Sequence, residues 1–222
     1  MRPTVSTDRT GLFRLGGVAF ILGGTLFFAN HLLNAVAGPP PSTGAEILRW
    51  VEAHRLALSF VSEVLFFATM SLVPAVIALY VRLSSVQRPL AALGCGIFAV
   101  VVPVLAVLLI VHGRLVYPVY GIRISEPAVA EFVVVFFYGG LHAVWLLMAF
   151  ATFALSLAMR RAAFGAPVTA LGFATAAGDV VGSYPYLIGP VVLFTCQLLF
   201  AAWFVVIGWT LFRTREGDRE SI

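Results

Sequence analysis

The chain has 222 residues, of which 61% are apolar and 11% charged, with a formal net charge of +4. Soluble domains are about 45–50% apolar and 25% charged, so this composition excludes an ordinary soluble domain and places the chain in a bilayer. Its 14 cationic residues are all arginines, scattered over short connecting segments, which excludes a basic nucleic-acid-binding face.

A membrane span needs about 20 mostly apolar residues. In chain order the expected spans are 12–37, 56–83, 89–112, 127–160, 164–182 and 187–213, within one transmembrane domain over 1–213 and ahead of a short cytoplasmic tail, 214–222. The first run, Leu15 to Ala37, ends in Ala35-Val36-Ala37 like a cleavage site. It is longer than the apolar core of about 7–15 residues in a signal peptide, and is read as a retained helix. Prolines 39–41 then forbid helix, and Thr43 with Glu46 three residues on reads as a capping box. Behind it Ile47, Leu48 and Val51 interleave with Arg49, Glu52 and Arg55 at helical spacing. This predicts a short amphipathic helix on the outer surface, with Trp50 as an interface anchor or the helix as a lid.

The fourth run is longer than a bilayer requires, whereas the fifth is short and rich in Gly, Ala and Thr, a composition that lets backbones approach closely. Tyr117-Pro118-Val119-Tyr120-Gly121 and Tyr184-Pro185-Tyr186 place tyrosines at the level of an aromatic belt. Cys95 and Cys196 lie in different apolar runs at different depths, as buried free thiols do. The charged tail is read as a frayed end, with no soluble domain expected before or after the membrane part.

Gly16, Gly94 and Gly172 recur at intervals of 78 residues, each in a Leu-Gly pair opening an apolar stretch, and Arg82 and Arg160 share the spacing. A fixed period marks a repeated unit, here two helices, so the expected fold is an all-α bundle of six transmembrane helices in three repeated hairpins. Arginine placement orients it. Arg2, Arg9, Arg14, Arg82, Arg88, Arg160, Arg161, Arg213, Arg215 and Arg219 fall on one side, and Arg49, Arg55, Arg114 and Arg123 on the other. Positive residues collect on the cytoplasmic side, so both termini are expected there.

Three segments carry a resemblance: Glu46-Ile47-Leu48-Arg49-Trp50-Val51-Glu52-Ala53-His54-Arg55, Leu72-Val73-Pro74-Ala75-Val76-Ile77-Ala78-Leu79-Tyr80, and Gly208-Trp209-Thr210-Leu211-Phe212-Arg213. In these the chain resembles an uncharacterised bacterial family of six-helix integral membrane proteins, a domain of unknown function. The resemblance implies the topology and no activity.

Ionisable groups within a span are functional hypotheses by default. Counting about 1.5 Å per residue, His31 and Glu63 lie roughly 10 Å below the outer boundary and His142 roughly 22 Å below it. Glu131 is shallower, Asp179 ends the fifth helix, Gln197 lies deeper in the sixth, and Asn30 and Asn34 flank His31. Nearly all fall in the outer half, which predicts an outward-facing polar pocket. Its expected ligand-binding residues are His31, Asn34, Glu63, Glu131, His142, Asp179 and Gln197, with Glu63 facing the interior beside His31 and Asp179 at the rim. The structural alternative pairs Glu63 with His31, Glu131 with Arg114 or Arg123, and Asp179 with Ser183.

Haem ligation needs two histidines at matching depth on facing helices, and His31 and His142 are expected at different depths. No His-x-x-x-His or Glu-x-x-His spacing supports a metal, so no cofactor and no metal is expected. The leading expectation is a protein that binds a lipid or lipophilic small molecule, with membrane lipids as partners and no nucleic acid. The alternatives are a membrane-embedded enzyme using Glu63 or Asp179 as a general acid on an isoprenoid or lipid substrate, and a proton-coupled transporter.

Overall fold

The computed structural model describes residues 6–162 and 164–214, and these are all-α. The helices are α1 (Ser6–Ala37), α2 (Gly44–Ala53), α3 (Arg55–Val116), α4 (Pro127–Met159), α5 (Ala166–Gly182) and α6 (Pro190–Arg213). Four of them, α1, α3, α4 and α6, are long and apolar enough to cross a membrane. Their perimeter is apolar too: Leu22, Val107, Ile110, Phe150 and Phe153 all stand exposed at mid-helix. Residues 215–222, with Arg215 and Arg219, and Arg2 at the other end lie outside the described residues, so the tail and three of the arginines used for orientation belong to the sequence reading alone.

The second and third expected spans are one element, α3, interrupted only at Gln87 (φ −141°, ψ 64°). It is a hairpin of two arms. The Ser62 hydroxyl lies 2.8 Å from Nδ1 of His112, and the Tyr117 hydroxyl donates to the Ser59 carbonyl at 3.1 Å, so residues near opposite ends of the element meet. Pro89 sits in the first turn of the second arm, where its missing N–H costs nothing. The helical pattern therefore resumes at once, and no loop of several residues separates the arms.

α1 is built to be squeezed from two sides. Gly16 and Gly23 are seven residues apart on one face, where an added β-carbon would strike Ala78 and Ser71 of α3. Gly17 and Gly24, on the adjoining face, meet Gly208 and Phe204 of α6 in the same way. Residues seven apart lie on one helical stripe, and small residues on such stripes let backbones approach closely. α3 packs on α4, α4 on α5, and α5 on α6, so the helices form a ring that α1 and α6 close.

The centre of the ring is plugged with aromatic rings. Phe204 stacks against Phe20, Phe27, Phe98 and Phe200 at centroid distances of 5.2, 6.2, 6.1 and 4.3 Å, and Trp145 packs edge-on to Phe200 at 5.5 Å. Edge-to-face and offset pairs at these distances are favourable beyond the area they bury. Three tight contacts involve the glycines of the 78-residue period: Gly16 against Ala78, Gly94 against Leu155, and Gly172 against Ser156 and the Trp203 indole.

α2 caps one end of this ring. Ile47, Trp50 and Val51 are buried against α3 and α4, and the Trp50 indole N–H donates to the Ala37 carbonyl at 2.8 Å. The expectation of Trp50 as an interface anchor is corrected: it ties the end of α1 to the underside of α2. The connection after α3 is a tight turn closed by the Val119–Ile122 pair, with positive φ at both central residues, Tyr120 (52°) and Gly121 (80°).

Candidate functional site

Asp179 is the buried carboxylate of the described bundle, 1% exposed. α5 puts it there because Val168, Gly172, Thr175, Asp179 and Gly182 repeat at intervals of four and three, a single stripe facing the neighbouring helices. Thr152 of α4 donates a long hydrogen bond, 3.4 Å, to its Oδ2, and its Oδ1 has no partner among the described residues. The small residues around it admit α6 closely: a β-carbon on Gly182 would lie 3.2 Å from that of Cys196. Both cysteines, Cys95 and Cys196, are buried free thiols.

Hydroxyl groups continue from Asp179 toward the end of the bundle opposite α2. Thr152 and Ser156 of α4 and Thr175 of α5 are fully buried, and Thr175 donates across to the Leu199 carbonyl of α6 at 3.2 Å. A second orphan lies along this seam. The Trp203 indole N–H, close to Gly172 and Ser156, has no acceptor among the described residues. Buried donors and acceptors are nearly always paired, so two orphans in one three-helix seam single it out.

At the α2 end of the same seam stands His142, whose Nδ1 lies 2.7 Å from the Ser183 carbonyl and whose ring is 4.8 Å from that of Tyr184. α4, at 33 residues, is much longer than α5, at 17. His142 is level with the end of α5.

The remaining expected site residues do not converge. Glu63 is exposed on the bundle perimeter, where its Oε1 accepts from the Tyr117 hydroxyl at 3.1 Å. His31 is half-buried against Phe28 and Phe194. The expectation that Glu63 faces the interior beside His31 is therefore corrected; the face of α3 that turns inward carries Ser62 instead. Asn34 donates to its neighbour Asn30, which in turn donates to the Val61 carbonyl at 2.7 Å and joins α1 to α3. Gln197 is buried on α6.

Glu131 does structural work at the α2 end. Its Oε1 accepts from the backbone N–H of Gly44 at 2.6 Å, across 87 positions of sequence. The expected capping box does not form: Thr43 donates to the Glu46 carboxylate at 2.8 Å and makes no side-chain bond to the helix backbone. Glu131 takes that role, a carboxylate at the positive end of a helix. None of the local pairs considered from sequence forms either, since Arg123 sits 4.0 Å from Glu52 and Ser183 donates to the Val180 carbonyl.

Sequence reasoning missed Thr152, Ser156 and Trp203. The signal was present as two hydroxyls four residues apart on an otherwise apolar helix, which share one face. No protein-family model matches the chain, and neither a curated protein nor a solved structure matches it.

Proposed function

We propose that the chain is a bacterial plasma-membrane protein of six spans, both termini cytoplasmic, whose interior holds the polar end of a lipophilic molecule at Asp179. The two arms of α3 supply two spans, and α5, about 25 Å long, is a short one held between longer neighbours. The arginine distribution supports the orientation. The tight contacts at Gly16, Gly94 and Gly172 support three repeated hairpins, and the resemblance to the six-helix family accords with both.

One observation carries the binding reading: a carboxylate oxygen 1% exposed as a residue and without a donor. Leaving such a group unpaired costs several kcal/mol, and an amine or hydroxyl at one end of an apolar ligand would satisfy it. At the α2 end of the seam, Tyr184 packs on His142 and Tyr186 on Tyr184. The site thus moves from the pocket expected around Glu63 to the α4–α5–α6 seam. The test is purification in native-lipid nanodiscs, with a density map and mass spectrometry of extracted small molecules. A molecule retained by the wild type and lost in Asp179→Leu supports the reading; identical extracts from the two, with protein alone around Asp179, overturn it.

The proton-coupled transporter is supported by the run of hydroxyls from Asp179 through Thr152, Thr175 and Ser156. Proton flux into proteoliposomes that Asp179→Asn abolishes would select it. The enzyme reading retains Asp179 as its acid, with turnover of an added isoprenoid or lipid substrate as its test.

A further inference from the structure

At the end of the bundle opposite α2, the break at Gln87 opens a cleft of about 390 Å3 between α1 and the bend of α3, lined by Arg9, Tyr80, Val81, Ser84, Ser85 and Arg88. Arg9 and Arg88, from different helices, both line it, and no carboxylate does so among the described residues. Both arginines are exposed, and neither has an ion-pair partner among the described residues. Like charges sharing a cleft repel, and an anion between them reverses the sign of that interaction.

The backbone adds to this. Because Gln87 is non-helical, Arg88 begins the second arm of α3, whose first N–H groups and positive dipole end favour an anion. Ser84 and Ser85 donate to helix carbonyls at 3.4 and 3.1 Å, bonds long enough to be exchanged for a better acceptor. The Tyr80 hydroxyl has no hydrogen bond among the described residues, so a further donor stands on the cleft wall.

We propose that this cleft binds a phosphate group. Arginine forks match phosphate oxygens in pairs, and hydroxyl donors complete such a shell. The bend of α3 lies at the end of the bundle, where lipid headgroups would lie, so an anionic phospholipid and a soluble phosphate compound share the chemistry. The site is separate from Asp179 and independent of what binds there.

The test uses the full chain in phosphatidylcholine nanodiscs, with and without phosphatidylglycerol, and in a parallel arm with inorganic phosphate added to phosphatidylcholine discs alone. Retained phosphatidylglycerol is read by native mass spectrometry and phosphate by the thermal midpoint. Arg9→Gln and Arg88→Gln should each weaken binding about fivefold, Arg88→Lys should keep most of it, and Arg14→Gln, an exposed cation on α1 outside the cleft, should change nothing. Specific retention of phosphatidylglycerol identifies a lipid headgroup, whereas a response to inorganic phosphate alone identifies a soluble source; either supports the site. The proposal is overturned if the Arg9→Gln/Arg88→Gln double variant binds both probes as the wild type does, or if Arg14→Gln loses as much as it does. Discs have both leaflets accessible, so neither result depends on the orientation of the chain.

Discussion

Gly17 and Gly208 face one another so closely that a β-carbon on Gly17 would lie 2.6 Å from the Gly208 carbonyl oxygen. One methyl group on either residue forces the two helices apart. This is how the first and last helices of the described bundle are joined, with Gly24 against Ala201 and Phe204 repeating the contact two turns along.

Replacing Gly17 or Gly208 with Val should therefore cost at least about 1–3 kcal/mol, the usual penalty for overpacking. Thermal unfolding in detergent, followed by size-exclusion chromatography, reads it. Gly96 has open space around its α-carbon, and Gly96→Ala should leave the midpoint unchanged or raise it, since alanine is favoured over glycine in a helix by about 1 kcal/mol. If both kinds of substitution behave alike, close approach is not what sets stability at the α1–α6 seam.

Glu131→Ala removes the acceptor for the Gly44 N–H and the charge at the start of α2. A loss of about 0.5–2 kcal/mol is expected, the cost of removing a helix cap. Hydrogen exchange should concentrate the effect in residues 44–53. Protection lost uniformly over the bundle would argue against a capping role.

Thr152→Val takes away the hydrogen bond to Asp179 and leaves both its oxygens without a protein donor. The expected cost is about 1–3 kcal/mol, and the double variant Thr152→Val/Asp179→Leu should recover part of it. Equal midpoints for Thr152→Val and the wild type would mean that the 3.4 Å contact contributes nothing.

Tyr117 lies just beyond α3, where partial burial pushes its phenol above the ordinary tyrosine value, the Ser59 side chain offsets part of this, and the Glu63 hydrogen bond and charge add to the rise. A raised folded-state value favours the protonated form, so this contribution is whole below about pH 10 and is lost as the pH rises through the raised value. The wild type should lose stability faster than Tyr117→Phe between neutral and strongly alkaline pH. Parallel curves would show that the Tyr117–Glu63 bond does not couple to folding.

Reporter fusions test the orientation. Cytoplasmic activity after Ile222 and periplasmic activity within the Pro39 segment are expected from the arginine distribution. The reverse pattern refutes it.

The helices themselves were legible because a bilayer span leaves a long apolar signature, and α2 because prolines and a capping pattern bracket it. Partners were not. Glu63 and Glu131 were placed by depth along their own helices, but which way a side chain points depends on the neighbour a helix chooses, and Tyr117 and Gly44 lie 54 and 87 positions away. Depth along α4 likewise gives no sign that His142 meets the end of α5, because helices of unequal length do not start at one level. Asp179 was read as a rim group; its burial follows from the overhang of α4 and the close seating of α6, neither of which a single helix records. The span limits 56–83 and 89–112 imply a connection over 84–88, whereas the helix runs through that stretch and breaks only at Gln87.

The ring of helices also sets an order of assembly. α6 is synthesised after every other helix of the described bundle, and it alone fills the glycine face of α1 at Gly17 and Gly24. Until it arrives, the structure is an open crescent, and the Phe20, Phe27 and Phe98 rings lack the Phe204 ring they converge on. A chain stalled before residue 190 would present that unfilled groove to the lipid and to any other small-residue helix nearby. Packing of the last helix is thus the step that closes the ring.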